Sequence, residues 1–286
     1  QQFLYDFIQQ EKLGIVALQE VHFSSADVTR WKQKGEGQSF WRPGGTNSAG
    51  VALLFRKNLD CQVEITGQDF NGSIICAKIT YDDFTFQLLN LYGPGQETKV
   101  SCNEFFDEAY QLLRPNIPTV MCGDFNMVED LLMDRHGGKP RLLHTWGKES
   151  LQLIKEDFLV TDVWRHKHQH KKEFTWHSPH VGTDIRSRLD RIYASPQIIS
   201  NVNEVGIKHF SWSDHEMVVM NFSLPEHIQR GSGYWKLNTT FLQDPDYLEL
   251  VKKFWEDWRL KKSHYASISQ WWDFGKRRIQ QISIWF

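Results

Sequence analysis

The chain has 286 residues, of which 40% are hydrophobic, and its formal net charge at pH 7 is −2. This length suits one full-sized domain with an extension or two unequal domains, with a core large enough to need no disulfide or structural metal. The near-neutral charge excludes a uniformly basic nucleic-acid binder, so any such contact must use a local basic surface. No apolar run approaches the roughly 20 residues of a membrane span, so no membrane partner is expected.

The first half of the chain mixes helical and strand-like patterns. Apolar spacing predicts a helix over residues 3–12, and apolar runs predict strands at 14–20, 51–56, 73–79 and 84–92. A helix over 101–113 and a strand over 118–126 follow. In the second half we expect a helix at 148–156 and strands at 174–176, 189–194, 203–210 and 217–224. Because no regular βαβ alternation holds, the order favours an α/β (α+β) sandwich of two packed mixed β-sheets flanked by helices.

The composition and the hydrophobic pattern of the sequence change after Pro225. Residues 226–240 form a polar, glycine-containing joint, and the rest is helical in pattern, with one apolar stripe from Tyr247 to Trp258 and a second helix over about 264–284. We therefore predict a domain over 1–225 and a helical C-terminal extension over 226–286. The four scattered cysteines lack zinc-site spacing and are expected to be small buried hydrophobic residues.

Polar residues follow several of the predicted strands, which is where α/β scaffolds place active sites. Glu20 ends the strand GIVALQE and is either a ligand for a hard metal or a plain strand-terminal residue. Asn90 and Tyr92 end the strand LLNLY, and the tyrosine hydroxyl could reach a phosphate oxygen or lie at the rim of the core. In GDFN, Asp124 can hold a metal or polarise a water, and Asn126 points the same way if the segment is extended.

Two further segments contain candidate catalytic residues. The first contains Asp190, and the second contains Asp214 and His215. Asp190 lies between apolar residues in SRLDRIY, where a lone carboxylate needs a partner, and a histidine is the natural one. Asp214 and His215 form the pair in SDH before the last strand. His215 could stabilise charge on a phosphorus centre while Asp190 holds its imidazole in one tautomer.

These segments together resemble the endonuclease/exonuclease/phosphatase superfamily over residues 1–224. The matching motifs, in order, are Gln19-Glu20, Asn90 with Tyr92, Asp124 with Asn126, Arg188-Leu189-Asp190 and Ser213-Asp214-His215. The resemblance implies a four-layer α/β sandwich, a Mg²⁺ or Mn²⁺ cofactor and in-line hydrolysis by an activated water. It implies that Glu20 is the principal metal ligand, with Asp124 and Asp214 beside it.

The same resemblance implies the catalytic roles. Asp124 activates the attacking water and Asn126 positions it, Tyr92 contacts the phosphate, and Asp190 buttresses His215. A bound cation would neutralise the phosphate and stabilise the leaving oxygen, while the protein supplies position and preorganised charge.

Two features are similar to one branch of the superfamily. Abasic-site and retrotransposon endonucleases place a tyrosine where Tyr92 stands, and other branches place a histidine. The segment GYWKLNTTFLQDPDYLELVKKFW looks like the link from endonuclease to reverse transcriptase in LINE-type open-reading-frame-two proteins. We therefore expect a nuclear protein that nicks double-stranded DNA, with a reverse transcriptase attached C-terminally. The family opens with an asparagine-bearing strand, which this chain does not show, so we expect an N-terminally truncated domain.

DNA contacts are predicted for Asn90, Tyr92, Trp176, Ser187 and Arg188, by position relative to related nucleases. The basic loop 165–172 is either a phosphate-binding surface or a solvated loop. Two alternatives to a DNA endonuclease stay open: a phosphatase or phosphodiesterase of the same superfamily, and a catalytically weakened remnant that only binds nucleic acid.

Overall fold

The structure, a computed structural model, divides the chain into two compact units, Gln1–Pro225 and Glu226–Phe286. It describes residues 2–23, 25–33, 37–44, 50–69, 71–95, 98–139, 142–178, 180, 184–224 and 237–286. The predicted joint after Pro225, with Trp235 and Lys236 of the WKLN segment, lies largely outside these residues, as does Thr183.

The first unit combines strands and helices along its whole length. Its strands are β1 (Ile15–Leu18), β2 (Ser39–Pro43), β3 (Gly50–Phe55), β4 (Gln62–Gln68), β5 (Ile74–Tyr81), β6 (Phe84–Tyr92), β7 (Thr119–Asp124), β8 (Arg135–His136), β9 (Thr161–Asp162), β10 (Trp176–His177), β11 (Arg186–Ser187), β12 (Asp190–Ala194), β13 (Val202–Lys208) and β14 (Met217–Phe222). Its helices are α1 (Gln2–Gln10), α2 (Ser25–Gln33), α3 (Lys99–Leu112), α4 (Lys148–Asp157), α5 (Val163–Lys167) and α6 (Pro196–Ile199), with a 3-10 turn at Leu142–Thr145.

The strands form mixed sheets. Six strands join in the order β4-β5-β6-β7-β12-β9, in which β6 and β7 are parallel and the other neighbours are antiparallel. A second layer holds the antiparallel sheet β1-β3-β2 and the antiparallel pair β13-β14. The short strands β10, β11 and β8 form a small separate sheet. The expected α/β architecture of mixed sheets flanked by helices is confirmed.

The main core lies between the two layers. It joins Val51 and Leu53 of β3 to Ile75 and Ala77 of β5 and to Val205 of β13, all buried. Removal of these apolar side chains from water is the dominant favourable contribution to folding, at roughly 25 cal/mol for each Å² of apolar surface buried.

Helices cover the outer faces of both layers. On one side, Ile8 of α1 and Trp31 of α2 pack against Ala52 and Leu54, which point away from the main core because side chains alternate along β3. On the other side, Phe106 of α3 stacks on Phe125, which follows β7.

Several predicted elements end earlier than the sequence indicates. The strand predicted over 14–20 ends at Leu18, and Glu20 has a positive φ of 51°. The strand predicted over 118–126 ends at Asp124, and Asn126 has a φ of 49°. In both places the backbone turns away from the sheet at the candidate site residues, so Glu20 and Asn126 are not part of a strand. The strands β2 and β4 were not predicted, because their polar and aromatic residues alternate less clearly.

The second unit is helical, with α7 (Pro245–Leu260) and α8 (Ile268–Trp285) and 3-10 turns at Thr239–Gln243 and Lys261–His264. The predicted stripe is a packing face in part: Tyr247 and Trp258 are buried, whereas Leu248 is exposed. The Tyr247 hydroxyl lies 2.7 Å from Ser283 Oγ, which ties α7 to α8. Within the described residues, no helix combines the length and the apolar character that crossing a membrane requires.

Candidate active site

Three strands of the six-stranded sheet bring their polar ends together. Tyr92 pairs in register with Asp124 across the parallel strands β6 and β7, and Asp190 pairs with Asp124 across β12 and β7. Two C-terminal strand ends and one N-terminal end therefore meet at one edge. Tyr92, Asp124 and Asp190 are far apart in sequence but adjacent here.

A glycine makes the sharp approach to Asp124 feasible. Gly123 has a φ of +134°, and a Cβ there would lie 1.9 Å from the carbonyl oxygen of Leu91. Only glycine fits that position without a backbone shift. Asn126 then turns back, since its backbone N–H donates to Asp124 Oδ1 at 2.8 Å and its Nδ2 donates to the carbonyl of Gly93 at 2.9 Å. The extended geometry expected for this segment is wrong, but both side chains stay at the site.

Asp190 and His215 form the pair that the sequence suggests. The distance from His215 Nδ1 to Asp190 Oδ2 is 2.8 Å, and both side chains are largely buried. This hydrogen bond occupies one ring nitrogen of His215 and leaves Nε2 available.

Thr175 holds this pair in place, and no sequence pattern selects it in advance. It is fully buried, and its Oγ1 accepts hydrogen bonds from the backbone N–H groups of Leu189 and Asp190 at 2.9 and 3.0 Å. Its carbonyl accepts a bond from Glu216 N at 2.6 Å. Thr175 thus joins the Asp190 segment to the His215 segment, and its only sequence signal is a threonine in the short run FTW.

Glu20 and Asp214 lie on the exposed rim of the site. The Tyr92 hydroxyl donates to Glu20 Oε1. The indole Nε1 of Trp176 donates to Asp214 Oδ2 at 3.3 Å, and Trp176 also forms an isolated β-bridge with His215. Trp176 is therefore at the site, where its predicted DNA contact stays a prediction.

Charge is concentrated around Asp124. Burial first, and then the negative charge of Asp190, raise the pKa of Asp124 to about 7. Burial alone lowers the pKa of His215, but the hydrogen bond and charge of Asp190 and the charge of Asp124 raise it to about 9. Burial and the neighbouring Glu20 raise the pKa of Tyr92 above its ordinary value, so its hydroxyl stays a donor.

The acidic groups fit a divalent cation. Ligand atoms of Asp124, Asp190 and His215 all lie within 4.8 Å of one another. Burial and, second, the negative charge of Asp190 disfavour the charged form of Asp124, and a bound cation would relieve both effects. Carboxylate oxygens are the ligands that hard cations prefer. Glu20 and Asp214, which the family resemblance favours as ligands, are exposed beside this group and can approach a cation from the rim.

Three predicted DNA contacts are wrong because the side chains are enclosed. Asn90 is fully buried, and its amide donates to the carbonyls of Leu18 and Ala52 while its oxygen accepts from Gln19 Nε2. Asn90 therefore ties β6 to the neighbouring sheet instead of contacting substrate.

Ser187 and Arg188 are likewise interior residues, 1% and 2% exposed. Ser187 Oγ accepts from Arg135 Nη1 at 3.0 Å. Arg188 forms ion pairs with Asp134 at 2.8 Å and with Asp162 at 2.6 Å. A guanidinium held in this way links three chain segments and cannot reach a DNA phosphate.

A profile of the endonuclease/exonuclease/phosphatase family matches residues 2–215. A transposon protein of Xenopus laevis, described as the transposon TX1 uncharacterized 149 kDa protein, is 27% identical over 279 residues, which is 96% of this chain. The chain spans 21% of that relative's length.

Solved structures share the fold. The AP endonuclease LMAP from Leishmania major has a TM-score of 0.65 at 15% identity, covering 78% of this chain and 82% of its own. An AP endonuclease from Archaeoglobus fulgidus has 0.60 at 19%, covering 78% and 94%. A variant of the 3′ phosphatase NExo from Neisseria, bound to a product DNA hairpin, has 0.59 at 18%, covering 78% and 94%. With the family profile matching most of the chain, this protein belongs to the endonuclease/exonuclease/phosphatase family.

Proposed function

We propose that the first unit is a Mg²⁺-dependent endonuclease that hydrolyses DNA phosphodiester bonds, as in the strand nicking of a LINE-type retrotransposon. The observation that carries the proposal is the Asp190–His215 hydrogen bond of 2.8 Å, with a ligand atom of Asp124 within 4.8 Å of both side chains. A carboxylate, a carboxylate-held imidazole and a tyrosine donor on one edge suit hydrolysis of a phosphate ester.

Each side chain of the site has a catalytic role that follows from its position. Asp124 accepts the proton of the attacking water, and Asn126, fixed by its bond to Gly93, orients that water. His215 directs its free Nε2 at a phosphate oxygen because Asp190 holds Nδ1. Tyr92 donates to the phosphate once its contact with Glu20 is exchanged. Asp124, with Glu20 and Asp214 at the rim, would hold Mg²⁺, which would supply charge neutralisation when bound.

Two observations support DNA as the substrate in preference to other phosphate esters. Tyr92 stands where the family resemblance distinguishes nucleases from phosphoinositide and sphingomyelin enzymes. The Xenopus relative is a transposon protein, and its match extends over nearly the whole of this chain, including the helical unit. We propose that the helical unit leads to a reverse transcriptase in the longer protein, which would act in the nucleus.

Plasmid nicking tests the proposal. The protein is incubated with supercoiled plasmid in Mg²⁺, with and without EDTA. We expect Mg²⁺-dependent relaxed circles that EDTA abolishes. A 3′-phosphorylated oligonucleotide and phosphoinositide vesicles are offered in parallel. Turnover of either of these substrates without any plasmid nicking would replace the proposal with a phosphatase, and DNA binding without turnover would replace it with a binding remnant.

A further inference from the structure

Arg191 is buried on the face of the six-stranded sheet opposite to Asp190. It follows Asp190 in β12, and successive side chains of a strand point to opposite faces of the sheet. Its side chain is 0% exposed, and its guanidinium lies over the ring of Phe125, 5.8 Å from the ring centroid. Arg191 therefore cannot touch a DNA strand, and any effect it has on the reaction must pass through the backbone.

The guanidinium of Arg191 binds backbone carbonyl groups from two separate segments of the site. Its Nη1 donates to the carbonyl of Met127 at 3.0 Å, and its Nη2 donates to the carbonyl of Arg188 at 2.8 Å. Met127 directly follows the Asp124–Asn126 turn, and Arg188 precedes Asp190 in the segment Arg188-Leu189-Asp190. One side chain therefore clamps the turn to the segment that leads into Asp190.

The turn needs an external restraint of this kind. Asn126 has a φ of 49°, and a residue other than glycine keeps such a conformation only where its surroundings fix it. One backbone hydrogen bond joins the two segments directly, from Phe125 N to the carbonyl of Leu189 at 3.0 Å. Arg191 lies beside this bond, since its Nη1 is 3.4 Å from the same carbonyl. The guanidinium thus reinforces the contact that sets the spacing of the two segments.

Ion pairing alone is the alternative role for Arg191, and the distances argue against it. Its nitrogens lie 3.8 Å from Asp134 and 3.9 Å from Asp162. Arg188 already pairs with the same two carboxylates at 2.8 and 2.6 Å. The closest contacts of Arg191 are instead carbonyl oxygens, and a planar guanidinium can donate to two of them in fixed directions, which a lysine ammonium on its flexible stem cannot match.

We propose that Arg191 is a positioning residue for hydrolysis of the phosphodiester, because it fixes the spacing between the Asp124–Asn126 turn and Asp190. This role rests on the proposed function, in which Asp124 activates the attacking water and Asn126 orients it. Release of the clamp would displace both side chains relative to Asp190. Small displacements of reacting groups slow the chemical step, whereas DNA binding should be unaffected because Arg191 is enclosed.

Arg191→Lys tests the clamp, since it keeps the positive charge and loses the two-carbonyl geometry. Gln87→Leu is the matched control. Gln87 is equally buried, and its Nε2 donates to the carbonyl of Arg114 at 2.8 Å and to Thr119 Oγ1 at 2.7 Å. Gln87 and Thr119 are paired at the opposite end of β6 and β7 from Tyr92 and Asp124. Both substitutions should lower Tm, and only Arg191→Lys should disturb the site.

Three quantities are measured for each variant: the single-turnover nicking rate at saturating enzyme, the affinity for a labelled DNA duplex in EDTA, and hydrogen exchange at the Phe125 amide. We expect Arg191→Lys to lower the nicking rate by about tenfold to a hundredfold and to leave the affinity unchanged. Exchange at the Phe125 amide should rise more in Arg191→Lys than in Gln87→Leu.

The role of Arg191 would be overturned by a nicking rate of Arg191→Lys equal to that of Gln87→Leu. Equal exchange at the Phe125 amide in the two variants would also overturn it, as would a loss of DNA affinity that accounts for the slower nicking. The proposed function fails separately, since its failure is wild-type protein that does not nick DNA. Exchange at the Phe125 amide needs no reaction and still decides in that case whether Arg191 holds the two segments together.

Discussion

Asp190 accepts a hydrogen bond from Nδ1 of His215 across a distance of 2.8 Å, although 25 residues separate the two in sequence. The bond fixes which imidazole nitrogen faces the substrate side. Register places Asp190 opposite Asp124, so the same carboxylate orients the histidine and adds negative charge beside the proposed base.

Asp190→Asn should lower the single-turnover nicking rate by about 10²-fold to 10⁴-fold, because an amide favours the wrong histidine tautomer while preserving size. The measurement is the rate of plasmid nicking in Mg²⁺ at saturating enzyme. Thermal unfolding of the variant serves as the control for folding. A rate within tenfold of the unsubstituted protein, with Tm unchanged, would remove Asp190 from the mechanism.

Tyr92→Phe should lower the nicking rate by about a hundredfold to a thousandfold, which is the usual cost of losing one donor to a developing charge. Only the hydroxyl is lost, so the free energy of unfolding should change little. Tyr81→Phe, at a half-buried tyrosine of the preceding strand, is the matched control and should keep full activity. Equal rates for both variants would show that the Tyr92 hydroxyl does not touch the phosphate.

Thr175→Val should destabilise the protein by about 1–3 kcal/mol, because two buried N–H groups lose their acceptor. It should also lower the nicking rate through displacement of Asp190. Thr175→Ser keeps the hydroxyl and should recover most of the rate. Urea unfolding and nicking rates for the two variants check this, and a valine variant as active as the serine variant would contradict the positioning role.

The structure brings together side chains that the sequence selects as candidate site residues. Glu20, Tyr92, Asp124, Asp190 and His215 were found because polar residues at the ends of apolar runs are unusual, and the structure brings them together. Which of those strand ends are adjacent depends on the parallel pairing of β6 and β7, and sequence periodicity carries no information on strand pairing.

Burial explains the sequence predictions that were wrong. Asn90, Ser187 and Arg188 have the residue types of DNA contacts, but each has partners from distant segments that enclose it. Thr175 was missed because a single threonine in a short segment has no distinguishing pattern. Both outcomes depend on long-range contacts, which local sequence does not show.

Arg188→Met should cost about 3–5 kcal/mol of stability, because it leaves the carboxylates of Asp134 and Asp162 buried without that partner. Urea unfolding measures this cost, and Arg30→Met, at an exposed arginine, is the control. Unchanged stability together with weaker DNA binding would restore Arg188 as a DNA contact.

The same cluster should make stability depend on acid pH. Burial alone raises the pKa of Asp134, but the charges of Arg188 and Arg191 outweigh it and hold the pKa below its ordinary value. A depressed pKa in the folded state means that the contribution is full above the unfolded pKa and is lost as pH falls through the folded value. Stability should therefore decline below about pH 4.

Urea unfolding of the wild type and of Asp134→Asn from about pH 7 to about pH 3 checks this dependence. The stability difference between the two should be largest near neutral pH and should shrink as the pH falls below about 4. Asp83→Asn, at an exposed turn, should show no such trend. A difference that stays constant over the range would contradict the assigned direction.

In the proposed reaction, Asp124 activates the water that cleaves a DNA phosphodiester bond. The most direct measurement is the single-turnover nicking rate of Asp124→Asn in Mg²⁺, compared with the exposed control Asp83→Asn. We predict a loss of at least about 10²-fold for Asp124→Asn and an unchanged rate for Asp83→Asn. Nicking by Asp124→Asn at the rate of the control would contradict the role of Asp124 as the base that activates the water.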